Sequence, residues 1–365
     1  MAVHSLLLRD DGDAIAFGCN DDGECSVPPR PPGTRYVDAS VEKGLSLLVR
    51  DDGVPVICGS DVTTAGFAQE LAAYMVPMPL LPEGSRYVAA ASSAWHSILL
   101  RDDGVAVAFG ENFWGQCNVP VRPAGTRYVT AAAGRDHSIL IRDDGEAIAF
   151  GLQSEKRCEI PKLPAGLRYV AAATGHIHSI LLRSDGIAVA FGCNTHGECD
   201  VPVLPSGSRY IDLATGWGHS ILVRSDGRAI AFGNNKCGQC NVPAAPAGSR
   251  YIAAYAGLLH SILVRNDGEA VAFGSGHDGQ CDVPALPAGS YYLGRTAGQV
   301  ISTWCPRLHR HWSETAKAPI RLLLLLSKRR RGFVPLELLL EKVLPLAMPV
   351  ASVPVSALPV RAMIA

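Results

Sequence analysis

Several features are scarce or missing in this 365-residue chain. No apolar signal core opens it, because His4, Arg9 and Asp10 come too early for one, and this argues against export. The eleven cysteines are an odd number. Without an export signal they read as free thiols of a reducing, intracellular compartment. A cytoplasmic location is expected, with a nuclear one as the alternative. A basic footprint is also missing. Residues 1–304 carry 23 Lys and Arg against 31 Asp and Glu, net −8. Binding to a phosphate backbone needs the opposite sign, so nucleic acid is not an expected partner. No Gly-rich phosphate loop, nucleophile elbow or carboxylate pair stands out, so neither an enzyme nor a cofactor is expected. Aromatics are few at 7%, while Gly (37) and Pro (25) are many. That mix suits many short strands joined by tight turns.

What is abundant is repetition. The phrase His-Ser-(apolar)3-Arg-x-Asp-Gly begins at His4, His96, His137, His178, His219 and His260, with a degenerate copy at Leu45. From His96 onward each step is 41 residues, and the step from Leu45 to His96 is 51. A period of this length points to a solenoid or a propeller. Residues 128–166 show one unit. Tyr128–Ala133, His137–Arg142 and Ala147–Phe150 read as strands, and Asp144-Gly145 reads as a two-residue hairpin turn. Cys158-Glu159-Ile160-Pro161 reads as a short fourth strand, where an edge proline is tolerated. The third strands are apolar on both sides, as in Val105–Phe109, so sheets are expected to pack face to face. The chain starts mid-unit at His4, and its repeats end mid-unit near Trp304. One blade completed by both ends would close a ring and remove two sheet edges. An open superhelix of the same units is the alternative.

The pattern Gly-x-x-His-Ser-(apolar)3-x-x-Asp-Gly-x-x-x-(aromatic)-Gly-x-Asn-x-x-Gly-Gln resembles the repeat of the regulator of chromosome condensation family. Gly134 to Gly151 carries its first part and Phe109 to Gln116 its second. The resemblance spans residues 1–304 and implies an all-β, seven-bladed β-propeller, with residues 305–365 as a separate tail. It implies a binding protein: a scaffold, a substrate-recognition component of a ubiquitin ligase, or a guanine-nucleotide exchange factor for a small GTPase. The partner is then a protein, such as a small GTPase or a ubiquitin-ligase component, and a monomer is expected. The chain departs from the exchange-factor members. Its units are short, its one long insertion lies between Gly59 and Tyr87, and it shows no basic N-terminal arm. No catalytic residue of those members has a matching position here.

The six repeat histidines sit in separate blades and cannot converge on one metal ion; packing or a backbone hydrogen bond is their expected role. The repeat cysteines Cys25, Cys117, Cys158, Cys199, Cys240 and Cys281 are read as small hydrophobes. Cys237-Gly238-Gln239-Cys240 is formally a redox or zinc motif, but Cys237 lies at a variable loop position. The Asp-Gly turns lack the further oxygen ligands of a calcium loop. The Arg-Tyr pairs are read as stitches between blades.

Repeat-to-repeat variation locates the candidate partner site. The loop before the His strand and the loop after Phe-Gly are two strands apart, so they share a face. The first set varies through Trp95, Arg135, Asp136, His176, Trp217, Leu258 and Leu259. The second varies through Asn112, Phe113, Trp114, His196, Lys236 and His277. Aromatics in variable loops suit a protein-binding surface, with Trp95, Trp114 and Trp217 as expected anchors.

The tail, residues 305–365, has ten Lys and Arg against three acids, net +7. Lys328–Arg331 is a short basic run of the nuclear-address kind, and Val334–Leu339 faintly resembles the start of an F-box helix. Residues 343–360 are uncharged, but Pro345, Pro349, Pro354 and Pro359 interrupt them, so a membrane helix is not expected.

Overall fold

Alternating apolar residues and Gly-closed turns fold each unit into an antiparallel meander. A computed structural model of the chain describes residues 4–42, 44–59, 75, 76, 78, 80–287 and 289–293. Blade 2 comprises Tyr36–Glu42, Leu45–Arg50 and Pro55–Gly59. Blade 3 comprises Tyr87–Ser92, His96–Arg101 and Ala106–Glu111, and blade 4 Tyr128–Ala133, His137–Arg142 and Ala147–Gly151. Blade 5 comprises Tyr169–Thr174, His178–Arg183 and Ala188–Gly192. Blade 6 comprises Tyr210–Thr215, His219–Arg224 and Ala229–Gly233, and blade 7 Tyr251–Ala256, His260–Arg265 and Ala270–Gly274. The His strand, or its Leu45 counterpart, is central in each.

Blade 1 pairs His4–Leu8 with Ala14–Gly18. Its remaining partner comes from the far end of the described chain. Tyr292 bridges Arg9, and the Leu293 N–H donates to the Leu8 carbonyl at 2.8 Å. The Tyr292–Arg9 pair stands where Tyr36 meets Arg50 in blade 2.

Between the blades lie seven separate apolar seams. Ile98 and Leu100 face Tyr128, Ala131 and Leu140 of blade 4. Leu99, between them, faces Leu47 and Val49 of blade 2. The two-residue period of a strand thus sends one central strand into both neighbours. Each such leucine or isoleucine, fully buried, contributes about 1.5–3 kcal/mol. Leu7 and Phe17 of blade 1 pack with Ile262, Val264 and Tyr292, while Leu6 and Leu8 pack with Tyr36 and Leu48. The succession of seams therefore returns to the blade where it began.

Two local expectations are corrected. The Asp-Gly turn is a three-residue loop. In blade 4 the Gly145 N–H donates to the Arg142 carbonyl and the Arg142 N–H to the Glu146 carbonyl, both at 2.9 Å. Gly145 has φ of +87°, whereas Asp144 is not among the left-handed residues. The loop is a type I turn closed by a left-handed glycine. Asp144 serves through its carboxylate, which pairs with Arg142 at 2.7 Å and accepts the Glu146 N–H at 3.1 Å. A Cβ on Gly145 would also lie 2.3 Å from Arg168 Cβ of blade 5. The Tyr169 N–H donates to the Gly145 carbonyl at 2.9 Å. The Arg168-Tyr169 pair thus seats on the preceding blade's turn.

The Cys-x-x-Pro segment is the second correction: it is not a strand. Its polar groups are satisfied locally. The Cys117 N–H donates to Asn112 Oδ1 at 2.8 Å, and the Cys117 thiol to the Glu111 carbonyl at 3.2 Å. The Pro120 carbonyl accepts the Tyr128 hydroxyl at 2.9 Å. The Asn118 and Val119 N–H groups donate to the Gly115 and Cys117 carbonyls, so no N–H is left to form a ladder. Blade 3 gains a short fourth strand from elsewhere, Met75–Val76 in the insertion, paired with Gly110 and Glu111.

Candidate functional site

The loop before each His strand is anchored from below by the histidine itself. His137 Nε2 lies 2.8 Å from Ser179 Oγ of the next blade. The same bond joins His4 to Ser46, His96 to Ser138, His178 to Ser220, His219 to Ser261 and His260 to Ser5, at 2.7–3.1 Å. In five of the six pairs the serine hydroxyl donates to a backbone carbonyl, as Ser138 does to Gln116 at 2.8 Å. It is therefore the acceptor for histidine, and Nε2 carries the hydrogen. Burial pulls the six imidazoles down to about 3 or about 4, keeping them neutral. Their role is packing, as expected, but the partner is a hydroxyl rather than the backbone. One seam lacks this bond. Leu45 replaces the histidine, and the Ser97 hydroxyl is buried without a partner among the described residues.

The turn above is equally constrained. The Gly134 N–H donates to the His137 carbonyl at 2.9 Å. A Cβ on Gly134 would lie 2.5 Å from His137 Cε1. With both ends of the turn fixed, Arg135 and Asp136 form its tip. The loop after Phe-Gly is held by other means. Asn112 accepts the Cys117 N–H, and buried Gln116 accepts the Trp114 N–H at 2.9 Å. Asn112 is thus part of the loop's scaffold. Glu198 does the same for the His196 N–H at 2.6 Å, and Gln280 for the Asp278 N–H at 2.9 Å.

Tips from five consecutive blades surround a funnel of about 650 Å³. It brings together Trp95, Arg135, His176, Trp217, Leu258 and Leu259 from the first loop set and His277 from the second. His176 and Trp217 meet edge to face, ring centroids 5.9 Å apart. Burial, then the charges of Arg135 and Arg157, lower the His176 pKa to about 4. Trp217 remains 41% exposed.

Six of the expected loop residues do not line the funnel; Asn112 belongs to its loop's scaffold and Lys236 is exposed. Phe113 and Trp114 are exposed and pack edge to face on each other, centroids 4.7 Å apart. His196 is exposed, its Nδ1 4.0 Å from Glu198. Asp136 turns inward, where its carboxylate lies 3.4 Å from Arg157 and 3.5 Å from Arg135. It therefore positions Arg135 instead of facing the funnel. Sequence reasoning missed Asp278, which lines the funnel beside His277. It also missed Arg157. The signal was there, since Arg157 stands one 41-residue step from both Gln116 and Glu198.

The repeat thiols are half-buried or buried, and burial raises all six of them to about 11 or about 12, Cys117 and Cys199 highest. Thiols held that high are poor nucleophiles at neutral pH. Cys237 is exposed, while Cys240 donates to the Asn234 carbonyl at 3.3 Å. Among the described residues no group of His, Cys, Asp and Glu could hold a metal ion, and no helix is long and apolar enough to cross a membrane. The expectations for residues 305–365 lie outside the described residues.

The family model of the regulator of chromosome condensation (RCC1) repeat matches residues 210–239, one unit of the array. A search of curated protein sequences gave no match. Among solved structures, the chain is similar to human WBSCR16, with TM-score 0.59 and 16% identity over 74% of this chain and 90% of that one. It is also similar to Prp20p from Saccharomyces cerevisiae, with TM-score 0.58 and 17% identity over 77% and 83%. That structure was described with Prp20p's binding properties to Gsp1p and histones. The CRINKLY WD40 ectodomain of the Arabidopsis thaliana receptor kinase ACR4 gives TM-score 0.54 and 16% identity over 76% and 93%. At these identities the structures share the fold. One unit matches the model of the repeat, the others repeat its residues at the same spacing, and the fold agrees with that of these structures: the chain is an array of repeats of the regulator of chromosome condensation type.

Proposed function

We propose that this propeller is a protein-binding scaffold and that its variable-loop face holds the partner. The observation that carries this reading is the funnel, where Trp95, Trp217 and the adjacent Leu258 and Leu259, from three blades, line one concave surface. Partly exposed indoles in a concave site have large apolar area to offer a partner and few rotamers to freeze. The frame beneath them is rigid, because each loop is tied to its histidine and each histidine to the next blade. Exchange on a small GTPase and substrate recognition for a ubiquitin ligase would be special cases. The first requires faster nucleotide release from a purified GTPase. The second requires co-purification with ligase components.

The test is partner recovery by affinity purification with the full chain and its Trp217→Ala and Trp95→Ala variants. Losing an interface anchor costs about 2 kcal/mol or more, roughly thirtyfold in affinity. Truncating a partly exposed loop side chain costs stability only about 0.5 kcal/mol. Recovery should therefore fall while the melting temperature barely moves. Pro164→Ala, on the opposite connections, should change neither. Normal recovery with both tryptophan variants would place the binding surface elsewhere.

A further inference from the structure

Resting on that reading, the funnel wall also indicates the partner's chemistry. Four consecutive blades present different groups along one side: Arg135 on blade 4, His176 on blade 5, Trp217 on blade 6, Leu258 and Leu259 on blade 7. The cation is held only loosely, although Arg157 has a second carboxylate in Glu155 and Glu111 also feels the charge of Arg135. Asp136 is its nearest carboxylate, at 3.5 Å, and that carboxylate is shared with buried Arg157, which reaches it at 3.4 Å. The Arg135 side chain is 44% exposed. Its contact with Asp136 is too long for a hydrogen bond, and Arg135 lines the funnel, so its N–H donors are open to a ligand there. His176 stands between the cation and the indole. Burial, and after it both guanidiniums, push its pKa down, so it is a neutral edge against Trp217 and adds no competing charge.

We infer that the funnel takes an extended peptide segment in which an acidic side chain, paired with Arg135, lies within a few residues of a large apolar side chain, seated on Trp217 and the two leucines. A guanidinium matches a carboxylate through two parallel N–H···O bonds. A cavity of about 650 Å³ holds a few side chains rather than a domain. Blade 3, with Trp95, continues the wall beyond Arg135, so a chain lying along it runs on past the cation and the carboxylate is a side chain's, not a terminus.

The experiment pans a phage-displayed library of random linear peptides, with C-termini fused to the coat protein, against the immobilised full chain. Enriched peptides are then synthesised with amidated C-termini and titrated. The expected result is enrichment of Asp or Glu near Trp, Phe or Leu. Arg135→Gln should weaken binding roughly tenfold or more, and should weaken it much less for the same peptide with its acid replaced by the amide. Trp217→Ala should weaken both peptides alike. Circular dichroism melts check that the variants fold. Enriched peptides without an acidic preference, or binding lost in Trp217→Ala but unchanged in Arg135→Gln, would overturn this inference and leave the binding face standing. Peptides indifferent to both substitutions would overturn the reading of that face as well. No enrichment would overturn the inference.

Discussion

An imidazole taken out of water resists protonation, and this has a consequence for acid stability. A histidine in the unfolded chain titrates near about 6.5. In the fold His4, His96, His137, His178, His219 and His260 are held at about 3 or about 4 by burial. Falling pH therefore protonates the unfolded chain first. The stability these groups confer is complete above the unfolded value and is lost as pH drops from there toward the folded values. Each contributes a slope of about 1.4 kcal/mol per pH unit in that window. Six together would remove a typical stability of about 5–15 kcal/mol within one or two units. The Asp52 and Asp144 carboxylates, lowered chiefly by their arginine partners, act only at lower pH. Urea midpoints should fall steeply between pH 6.5 and 5. A midpoint unchanged over that interval would contradict neutral buried imidazoles.

At the scale of the strand, the Ser of His-Ser has two environments that permit a matched test. Ser220 accepts from His178 at 2.9 Å and donates to the Glu198 carbonyl at 2.8 Å. Ser97 occupies the same position in blade 3, but Leu45 stands where its histidine would be and its hydroxyl has no partner among the described residues. Ser220→Ala should cost about 1–3 kcal/mol, because it strands a buried N–H donor and a carbonyl. Ser97→Ala removes an unsatisfied hydroxyl and should be neutral or slightly stabilising. Thermal or urea unfolding of the two variants decides this; equal losses would show that the His–Ser bond adds nothing. The bond's position was legible in the sequence as a phrase repeating every 41 residues, but its partner was not, since the hydroxyl lies on the following blade. Turn length was misjudged because a left-handed glycine serves two- and three-residue loops alike. The Cys-x-x-Pro segment looked like a strand because the side chain that removes its N–H, Asn112, lies five residues upstream. Repeat position showed the face on which Arg135 and Asp136 lie. It could not show that Arg157, 21 residues on, turns the aspartate inward.

For the whole molecule, the seam pattern makes blade 1 the element on which the others depend. It joins blade 7 through His260–Ser5 at 2.8 Å and through the packing of Leu7 and Phe17 on Ile262 and Val264. It also receives its remaining edge from Tyr292, whose hydroxyl donates to the Pro284 carbonyl at 2.7 Å. An open array would unfold from two ends; a ring closed in this way has none. The most direct measurement compares urea unfolding of two truncations, one ending at Leu293 and one at Ser290. They differ by three residues that contact both ends of the repeat region. The ring account predicts that the longer form unfolds in a single cooperative transition. The shorter form should unfold at clearly lower urea, with a broadened transition or loss of solubility, because the edge of His4–Leu8 is exposed. Identical midpoints and slopes for the two would contradict a ring closed through Tyr292.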